Sequence, residues 1–313
     1  MNLGDGRWHF WIDRGGTFTD VVAKDPEGHL VARKLLSQNP ERYPDAALEG
    51  IRECLSTRGG SDINPENIAT IRMGTTLATN ALLERKGAPT LLLTTQGFGD
   101  ALRIGYQNRP EIFARQIEPP ALLFQEVIEV CERIDVNGEV LIPLNTTELL
   151  SMLQAARDRG LESVAIVFVH GYRFPVHELL ASKIAKEAGF PHIAISHEVS
   201  PLIRFVSRGD TTVLDAYLTP VLRAYTNAFS DLTSGVELLF MRSNGGLSQP
   251  RFFTGKDAIL SGPAGGVVAM AKTARDAGFN SVIGFDMGGT STDISHYAGD
   301  FEHTHETRVA GIR

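Results

Sequence analysis

The sequence predicts an α/β protein with mixed sheets, arranged as two domains. Three β-rich runs joined by tight turns open the chain, and helical and strand-like periodicities then alternate along it. Its 313 residues are enough for a large buried core and favour two domains over one. The predicted domains are residues 1–200 and residues 201–313.

The first elements are strands connected by hairpins. Trp8–Asp13 alternates apolar and polar residues, and the chain turns at Gly15 and Gly16 before the β-branched run Thr17–Ala23. Alternation with a period of two is typical of a strand, and paired glycines adopt turn geometry easily. A third strand, Leu30–Leu36, completes this predicted group.

Helices and strands alternate through the rest of the first domain. Gly97–Pro120, rich in Gly, Pro, Arg and Asn, is predicted to be a long loop of the kind that often carries function. Asn137–Gly138 marks a hairpin between the strands Val127–Ile134 and Glu139–Ile142. The other predicted elements are the helices Pro44–Leu55, Thr76–Lys86, Leu149–Arg159 and Val176–Ala188 and the strands Ile68–Met73, Thr90–Thr94, Val164–Val169 and Ile193–Ile195.

The second domain is predicted to begin near Ser200 and Pro201. A long helix covers about Asp210–Phe229, and a glycine-rich turn lies between a strand and the next helix. The predicted elements are the helix Asp210–Phe229, the strand Val236–Met241, the turn Asn244–Gly246, a helix that starts at Ser261 and the strand Val282–Asp286.

The composition describes an ordinary globular protein without a basic surface. The formal charge is -7 and the pI is near 5.7, which disfavours nucleic acid or an anionic membrane as a partner. No apolar run reaches the length of a membrane span, and Met1–Trp8 lacks the regions of an export signal. Cys54 and Cys131 are too few for a disulfide framework and are predicted to be packed thiols of a cytoplasmic protein.

One short phrase occurs near each end of the chain. Asp13–Asp20 reads Asp-Arg-Gly-Gly-Thr-Phe-Thr-Asp, and Asp286–Asp293 reads Asp-Met-Gly-Gly-Thr-Ser-Thr-Asp. Internal repetition of this kind indicates two similar loops, and two such loops are suited to hold one polyphosphate between them. A pair of ordinary hairpins with Asx-type turns is the alternative.

The residue types in the phrase suit a phosphate and a metal ion. Paired glycines bring backbone N–H groups close to an anion, and the threonines add hydroxyl groups. Asp13 and Asp286 stand at strand ends, where they can hold Mg²⁺ through its waters. The predicted phosphate-binding residues are Gly15, Gly16, Thr17, Thr19, Gly288, Gly289, Thr290 and Thr292.

Two further helix starts are compatible with an anion or a nucleotide. Met73–Thr76 ends a strand and begins a helix, where hydroxyls and free N–H groups attract an anion, although a plain N-cap explains it equally well. The helix that starts at Ser261 is rich in small residues, which allow a nucleotide or a neighbouring backbone to approach. A Walker phosphate loop and a Gly-x-Gly-x-x-Gly helix start are both missing from the sequence, which disfavours P-loop and Rossmann enzymes.

The longer stretches resemble the hydantoinase A and 5-oxoprolinase family. Tyr43–Ala46 and Ser295–Gly299 point to the oxoprolinase branch. The segments that carry the resemblance are Ile12–Asp20, Ile71–Thr76, Ala78–Gly87, Ser261–Val267 and Gly284–Asp293. The resemblance implies the actin, sugar-kinase and heat-shock-chaperone ATPase fold, a duplicated ribonuclease-H-like domain that closes on ATP, here with its second half truncated.

The resemblance also implies an activity, the ATP-dependent opening of 5-oxo-L-proline to L-glutamate. By their position in the motifs, Asp13 and Asp286 would serve Mg²⁺ or orient the nucleophile, and the glycines and threonines of both loops would bind the phosphates of ATP. Thr75, Thr76 and Asn80 would line the substrate side. The family continues beyond the position of Arg313 with an adenosine-binding segment and a hydrolase region, so a missing region or subunit is expected as a partner. A homo-oligomer is expected as well.

Three other functions stay open on the sequence. One is an ATP-dependent hydantoinase or ketone carboxylase subunit. Another is a module that responds to a nucleotide without catalysis, using closure of the fold. The third is a kinase for a small hydroxylated compound.

Overall fold

A computed structural model describes residues 6–59, 63–107, 113, 115–116, 121–287, 292–302, 309 and 311–312. The strands of these residues are β1 Trp8–Arg14, β2 Phe18–Lys24, β3 Leu30–Leu36, β4 Ile68–Thr75, β5 Thr90–Thr95, β6 Glu126–Val130, β7 Arg133–Ile134, β8 Val140–Ile142, β9 Ser163–Val167, β10 His192–Ile195, β11 Glu237–Met241, β12 Leu247–Ser248, β13 Val282–Met287 and β14 Thr292–Tyr297.

The α-helices of the described residues are α1 Ala46–Ser56, α2 Leu77–Leu83, α3 Ala101–Ile104, α4 Thr146–Asp158, α5 Val176–Glu187, α6 Ser196–Val199, α7 Phe205–Leu232, α8 Gly255–Ala258 and α9 Ser261–Asp276. The predicted α/β class with mixed sheets is confirmed. Within the part of the chain that is described, no helix is long and apolar enough to cross a membrane.

The chain forms two compact units. The first contains Met1–Glu84 and Leu222–His303, and the second contains Arg85–Val221 and Thr304–Arg313. The second unit is therefore inserted into the sequence of the first. The predicted division at residue 200 is a division along the sequence and stays a prediction.

The first unit is organised by a six-stranded sheet with the order β12-β11-β4-β1-β2-β3. β1 pairs antiparallel with β2, and β2 pairs antiparallel with β3, as the hairpin signals predict. β4 lies parallel to β1 on its other side, and β11 lies parallel to β4. Since β1, β4 and β11 run in the same direction, their carboxyl ends meet at one edge of the sheet.

Helix α1 covers one face of this sheet. Its N-cap is Asp45, whose carboxylate accepts hydrogen bonds from the backbone N–H groups of Ala47 and Leu48 at 2.9 and 3.0 Å. Gly50 lets the helix approach β2 closely, because a Cβ at that position would lie 2.6 Å from a methyl group of Val21. The capped helix contacts all three strands β1, β2 and β3.

The second unit is organised by a four-stranded parallel sheet with the order β10-β9-β5-β6. Every residue of β5 and β9 is buried, as expected for parallel strands that are covered on both faces. Helices α4 and α5 supply part of the cover, and their apolar residues Leu149, Leu153 and Ala181 belong to the core.

The predicted strand Val127–Ile134 is wrong as a single element. The structure divides it at Cys131 and Glu132, so that β6 joins the parallel sheet and β7 pairs with β8 as the predicted hairpin. Glu132 is buried at this break and its carboxylate lies 2.6 Å from His177 Nδ1. Cys131 is exposed, whereas Cys54 is buried as predicted.

A buried polar network lies at the carboxyl end of β9. Glu178 is fully buried and accepts hydrogen bonds from the backbone N–H of Phe168 at 2.9 Å and from the Ser196 hydroxyl. Arg208, which is 1% exposed, donates to Ser196 Oγ, Leu202 O and Phe168 O at 2.7–2.9 Å. Two backbone carbonyls and the Ser196 hydroxyl, which itself donates to the Glu178 carboxylate, thus accept hydrogen bonds from one buried guanidinium.

His197 makes the stability of this network depend on pH. The hydrogen bond to Glu178, at 2.7 Å, raises the pKa of His197 above its ordinary value. A raised pKa in the folded state contributes stability below the unfolded pKa, near 6.5, and that contribution is lost as pH rises through the folded pKa. We expect the free energy of unfolding to fall between pH 6 and pH 9, and to fall less in His197→Gln.

The measurement is urea unfolding at both pH values for the wild type, His197→Gln and the exposed control His296→Gln. The control should follow the wild type. An equal pH dependence in His197→Gln would remove His197 as the cause.

The hairpin β13–β14 stands as a separate two-stranded sheet. One face packs on α9, where Met270 lies against Gly284 and its sulfur accepts from Ser295 Oγ at 3.4 Å. The other face carries four large apolar side chains that are 66–74% exposed, those of Ile283, Phe285, Met287 and Ile294.

Candidate functional site

The candidate site lies in the first unit, at the edge where β1 and β4 end. Asp13 is the second-last residue of β1 and pairs in register with Gly74 of β4. A Cβ on Gly74 would lie only 3.5 Å from Asp13 Oδ1, so the carboxylate rests over a backbone that has no side chain. The end of the sheet therefore presents an acidic group beside exposed backbone.

Hydrogen bonds within the turn and from Ser37 hold the turn between β1 and β2 in place. Gly15 donates its N–H to Phe18 O at 3.0 Å, and a Cβ on Gly15 would lie 2.9 Å from that oxygen. Ser37 donates its hydroxyl to Gly15 O at 2.7 Å and its N–H to Thr17 O at 2.9 Å. Gly15 is therefore required by the turn itself, while Gly16 and Thr17 are exposed above it.

Thr19 lies beneath the turn. It is fully buried, and its hydroxyl is 2.9 Å from the Ser37 hydroxyl. This position supports the turn, whereas the sequence prediction placed Thr19 among the phosphate-binding residues. Its counterpart in the second copy, Thr292, is exposed at the start of β14.

The start of α2 contacts the same turn. Thr76 donates its N–H and its hydroxyl to Arg14 O at 3.1 and 3.3 Å, and Asn80 Nδ2 donates to Thr76 Oγ1 at 3.2 Å. The amide of Asn80 lies against Gly16, 3.5 Å from where a Cβ would stand. Thr75 caps the helix in part, because its hydroxyl accepts from Leu77 N at 3.2 Å. The structure thus brings Gly16, Thr76 and Asn80 together.

Helix α9 begins at this edge as well. Ser261 donates its hydroxyl to Thr75 O at 3.1 Å, and a Cβ on Gly262 would lie 3.7 Å from the Thr76 methyl. The sequence indicates an anion-friendly helix start at Met73–Thr76 and, at Ser261, a helix start that a nucleotide or a backbone can approach, but it does not indicate that the two are in contact. The contact is non-local, 186 residues apart along the chain, and local pattern carries no signal for it.

The two copies of the repeated phrase form hairpins with the same register. In the first, Asp13 pairs with Asp20 and Arg14 with Thr19; in the second, Asp286 pairs with Asp293 and Met287 with Thr292. The residues Gly288, Gly289 and Thr290 lie outside the described residues. The matched register means that both leading aspartates stand at equivalent positions on their hairpins.

Negative charge accumulates at Asp13. Loss of hydration, followed by the charges of Asp20 and Asp286, raises the pKa of Asp13 above its ordinary value, and Lys34 opposes the shift. The charge of Asp286, the second leading aspartate, therefore contributes to the electrostatic environment of Asp13. Such a pair of carboxylates is an oxygen donor set of the kind that Mg²⁺ accepts, and a cation there would relieve the repulsion.

Lys34 and Arg14 are basic residues that sequence reasoning did not single out. Lys34 Nζ lies 2.8 Å from both carboxylate oxygens of Asp20, so its charge is directed at the acidic end of the hairpin. Arg14 is directed elsewhere, since its guanidinium lies over the Tyr225 ring at 4.8 Å and 3.8 Å from Asp45. Only the pairing of β2 with β3 reveals the position of Lys34.

Two family models match the chain. The hydantoinase/oxoprolinase N-terminal region matches residues 9–189, and the hydantoinase/oxoprolinase model matches residues 208–313. The 5-oxoprolinase of Dictyostelium discoideum is 44% identical over 351 aligned positions, which cover 97% of this chain and 28% of that protein. The chain thus spans less than a third of that relative's length.

Two solved structures are similar in fold. The nucleotide-free structure of acetone carboxylase matches with a TM-score of 0.80 at 24% identity. The matched region covers 97% of this chain and 46% of the acetone carboxylase chain. The ATP-dependent caprolactamase from Pseudomonas jessenii has a TM-score of 0.76 at 31% identity, and covers 92% of this chain and 43% of its own. The mixed α/β architecture is shared with both.

Proposed function

The chain belongs to the hydantoinase/oxoprolinase family, and from that premise we propose that it takes part in the ATP-dependent hydrolysis of a cyclic amide. The substrate that we propose is 5-oxo-L-proline, with L-glutamate as the product. The observation that carries the proposal is the meeting of Asp13, the Gly15–Thr17 turn and the start of α2 at one sheet edge, within the electrostatic reach of Asp286. The name of the Dictyostelium relative supports the choice of substrate.

We propose the division of roles that the repeated phrase predicts, except at Gly15 and Thr19. Gly16 and Thr17, exposed on an anchored turn, bind phosphate oxygens of ATP, and Asp13 and Asp286 hold Mg²⁺ or orient the nucleophile. The equal register of the two hairpins supports a duplicated ribonuclease-H-like fold with domains at residues 1–200 and 201–313. Gly15 and Thr19 act below the surface by holding the turn.

The chemistry explains why a nucleotide is needed. An amide is stabilised by resonance and reacts slowly with water. Mg-ATP supplies a phosphoryl group whose transfer to the amide oxygen creates a better electrophile. The residues of this chain contribute position and charge, because phosphoryl transfer depends mostly on both. Thr76 and Asn80, which contact the turn, are proposed to line the substrate side together with Thr75.

The region that completes ring opening is proposed to lie in a further part of the polypeptide or in a partner subunit. The chain spans 28% of the Dictyostelium relative, so the whole activity of that protein does not transfer to this chain directly. A cytoplasmic location and a homo-oligomeric state remain predictions.

Calorimetric titration of Mg-ATP into the chain, with and without 5-oxo-L-proline, tests the proposal. We expect saturable binding of Mg-ATP that weakens when EDTA removes the metal, and turnover that rises with 5-oxo-L-proline. Binding without turnover would favour the nucleotide-responsive module. A stable phosphorylated product would favour a kinase, and no binding at all would reject the site.

A further inference from the structure

A cavity of about 620 Å³ lies beside the six-stranded sheet, and its lining contains none of the residues of the candidate site. It belongs wholly to the first unit and is formed by β11, by the edge strand β12 and by the segment 249–257 that follows them. Its walls combine apolar side chains, hydroxyls and charged groups. The lining includes Leu239, Arg242, Ser248, Arg251, Phe252 and Asp257.

The charge of the cavity is opposite to that of the chain. Arg242, Arg251 and Lys256 face one carboxylate, Asp257, so three positive groups against one negative group leave an excess of two positive charges. The chain as a whole has a formal charge of -7. A local positive excess in an acidic protein favours an anionic ligand at this place.

The three cations are not equivalent. Arg242 Nη2 and Lys256 Nζ both bond to Asp257 Oδ1, at 2.7 and 3.1 Å, and share its charge. Across the described part of the chain, Arg251 has no carboxylate partner. Its guanidinium lies over the Phe252 ring, 4.6 Å from the centroid, which holds it in place while leaving its N–H groups to a ligand.

The remaining wall suits a compact molecule with an apolar body. Leu239, Leu247 and Phe252 give the cavity an apolar side. Ser248 Oγ and Arg242 Nε are shielded from solvent and have no hydrogen-bond partner among the residues that the structure describes. Hydrogen-bonding capacity therefore remains in the wall beside the basic groups.

The cavity lies near the carboxyl ends of the parallel strands, where the candidate site lies as well. Phe240 of β11 pairs with Met73 of β4, so Arg242 and Thr75, each two residues further on, stand at the same level of neighbouring strands. Neighbouring strands are about 4.8 Å apart. A ligand in the cavity would therefore lie on the side of β4 opposite to Asp13.

We propose that this cavity binds the carboxylate of a small cyclic acid, with Arg251 as the residue that determines specificity for the charge. The proposal rests on the proposed function, because 5-oxo-L-proline is such an acid: its carboxylate is attached to a five-membered lactam ring in which two methylene groups are apolar. A free phosphate has the same charge character, and the experiment separates the two.

The experiment is calorimetric titration of 5-oxo-L-proline, pyrrolidin-2-one and inorganic phosphate into the wild-type chain, in the presence of Mg-ATP and in its absence. Pyrrolidin-2-one has the same ring without the carboxylate. We expect 5-oxo-L-proline to bind at least about tenfold more tightly than pyrrolidin-2-one, because hydrogen bonds to charged groups are the strong ones. Phosphate binding that competes equally with 5-oxo-L-proline would overturn the proposal.

Substitutions of Arg251 test whether this residue causes the preference for the carboxylate. Arg251→Gln should weaken the binding of 5-oxo-L-proline at least about tenfold. Arg251→Lys keeps the charge and should therefore lose less of the affinity. The matched control is Arg173→Gln, since Arg173 is an exposed arginine that lies over Phe174 at 5.1 Å in the other unit. Equal affinity in Arg251→Gln and the wild type would overturn the proposal.

Mg-ATP titrated into the same variants distinguishes the two proposals. Arg251→Gln should bind Mg-ATP as the wild type does, because Arg251 lies outside the phosphate site. If Mg-ATP binds and the affinity for 5-oxo-L-proline is the same in Arg251→Gln as in the wild type, the cavity assignment fails and the proposed function stands. If Mg-ATP fails to bind the wild type, the proposed function fails, and a retained Arg251-dependent affinity for the acid would still support the cavity.

Discussion

Asparagine in place of Asp13 is expected to lower ATP cleavage by about 10²–10⁴-fold, the range observed when a charged or proton-transferring group is removed from an active site. Asparagine has nearly the same shape as aspartate, and the space over Gly74 accommodates it. The substitution removes a carboxylate whose pKa is raised first by burial and then by the charges of Asp20 and Asp286. Mg²⁺ would lose a charged oxygen partner, while the hairpin would keep its register.

The measurements are the initial rate of Mg²⁺-dependent ATP cleavage and the calorimetric affinity for Mg-ATP. Affinity gives a readout even where turnover is slow, and it should become nearly independent of Mg²⁺ in the variant. Asp100→Asn is the matched control, because the Asp100 carboxylate is 79% exposed and belongs to the other unit. Cleavage and Mg²⁺ dependence close to wild type in Asp13→Asn would contradict the assigned role.

Alanine in place of Arg208 is expected to destabilise the second unit by about 3–5 kcal/mol, the usual cost of removing one partner from a buried charged network. Three acceptors, Ser196 Oγ, Leu202 O and Phe168 O, lose their donor at once. The positive charge near the buried Glu178 carboxylate is lost as well. A loss of this size approaches the whole stability of a typical domain.

Unfolding in urea, monitored by circular dichroism, measures this loss of stability. The control Arg103→Ala removes a side chain that is 61% exposed and should change the free energy of unfolding by less than about 0.5 kcal/mol. If Arg208→Ala unfolds within about 1 kcal/mol of the wild type, the network is less important to stability than its burial indicates.

Local pattern was sufficient for much of the fold. Alternation and paired glycines predicted β1 and β2 to within a residue or two, and the periodicity of 176–188 predicted α5, because these signals depend only on near neighbours. The strand Val236–Met241 was also predicted, but its place beside β4 was not. Pairing between strands far apart in sequence leaves no trace in the periodicity of either strand.

The candidate site divides in the same way. The repeated phrase indicated Asp13, Gly16 and Asp286 directly. It could not separate Thr17 from Thr19, because both are threonines on one hairpin and only the burial of Thr19 against Ser37 distinguishes them. The burial of Arg208 is not predictable from the sequence for a related reason. An arginine on a helix is usually solvated, and the burial of Arg208 depends on acceptors that three other segments contribute.

The insertion of one unit within the other implies an order of events during synthesis. The sheet of the first unit is complete only when β11 and β12 have been made, and these strands follow the whole stretch Arg85–Val221. The ribosome therefore releases nearly all of the second unit while β4 still lacks a neighbour on one side. Because domains tend to fold as units during synthesis, we expect the inner unit to fold first and to bring the two distant halves of the outer sheet within reach of each other.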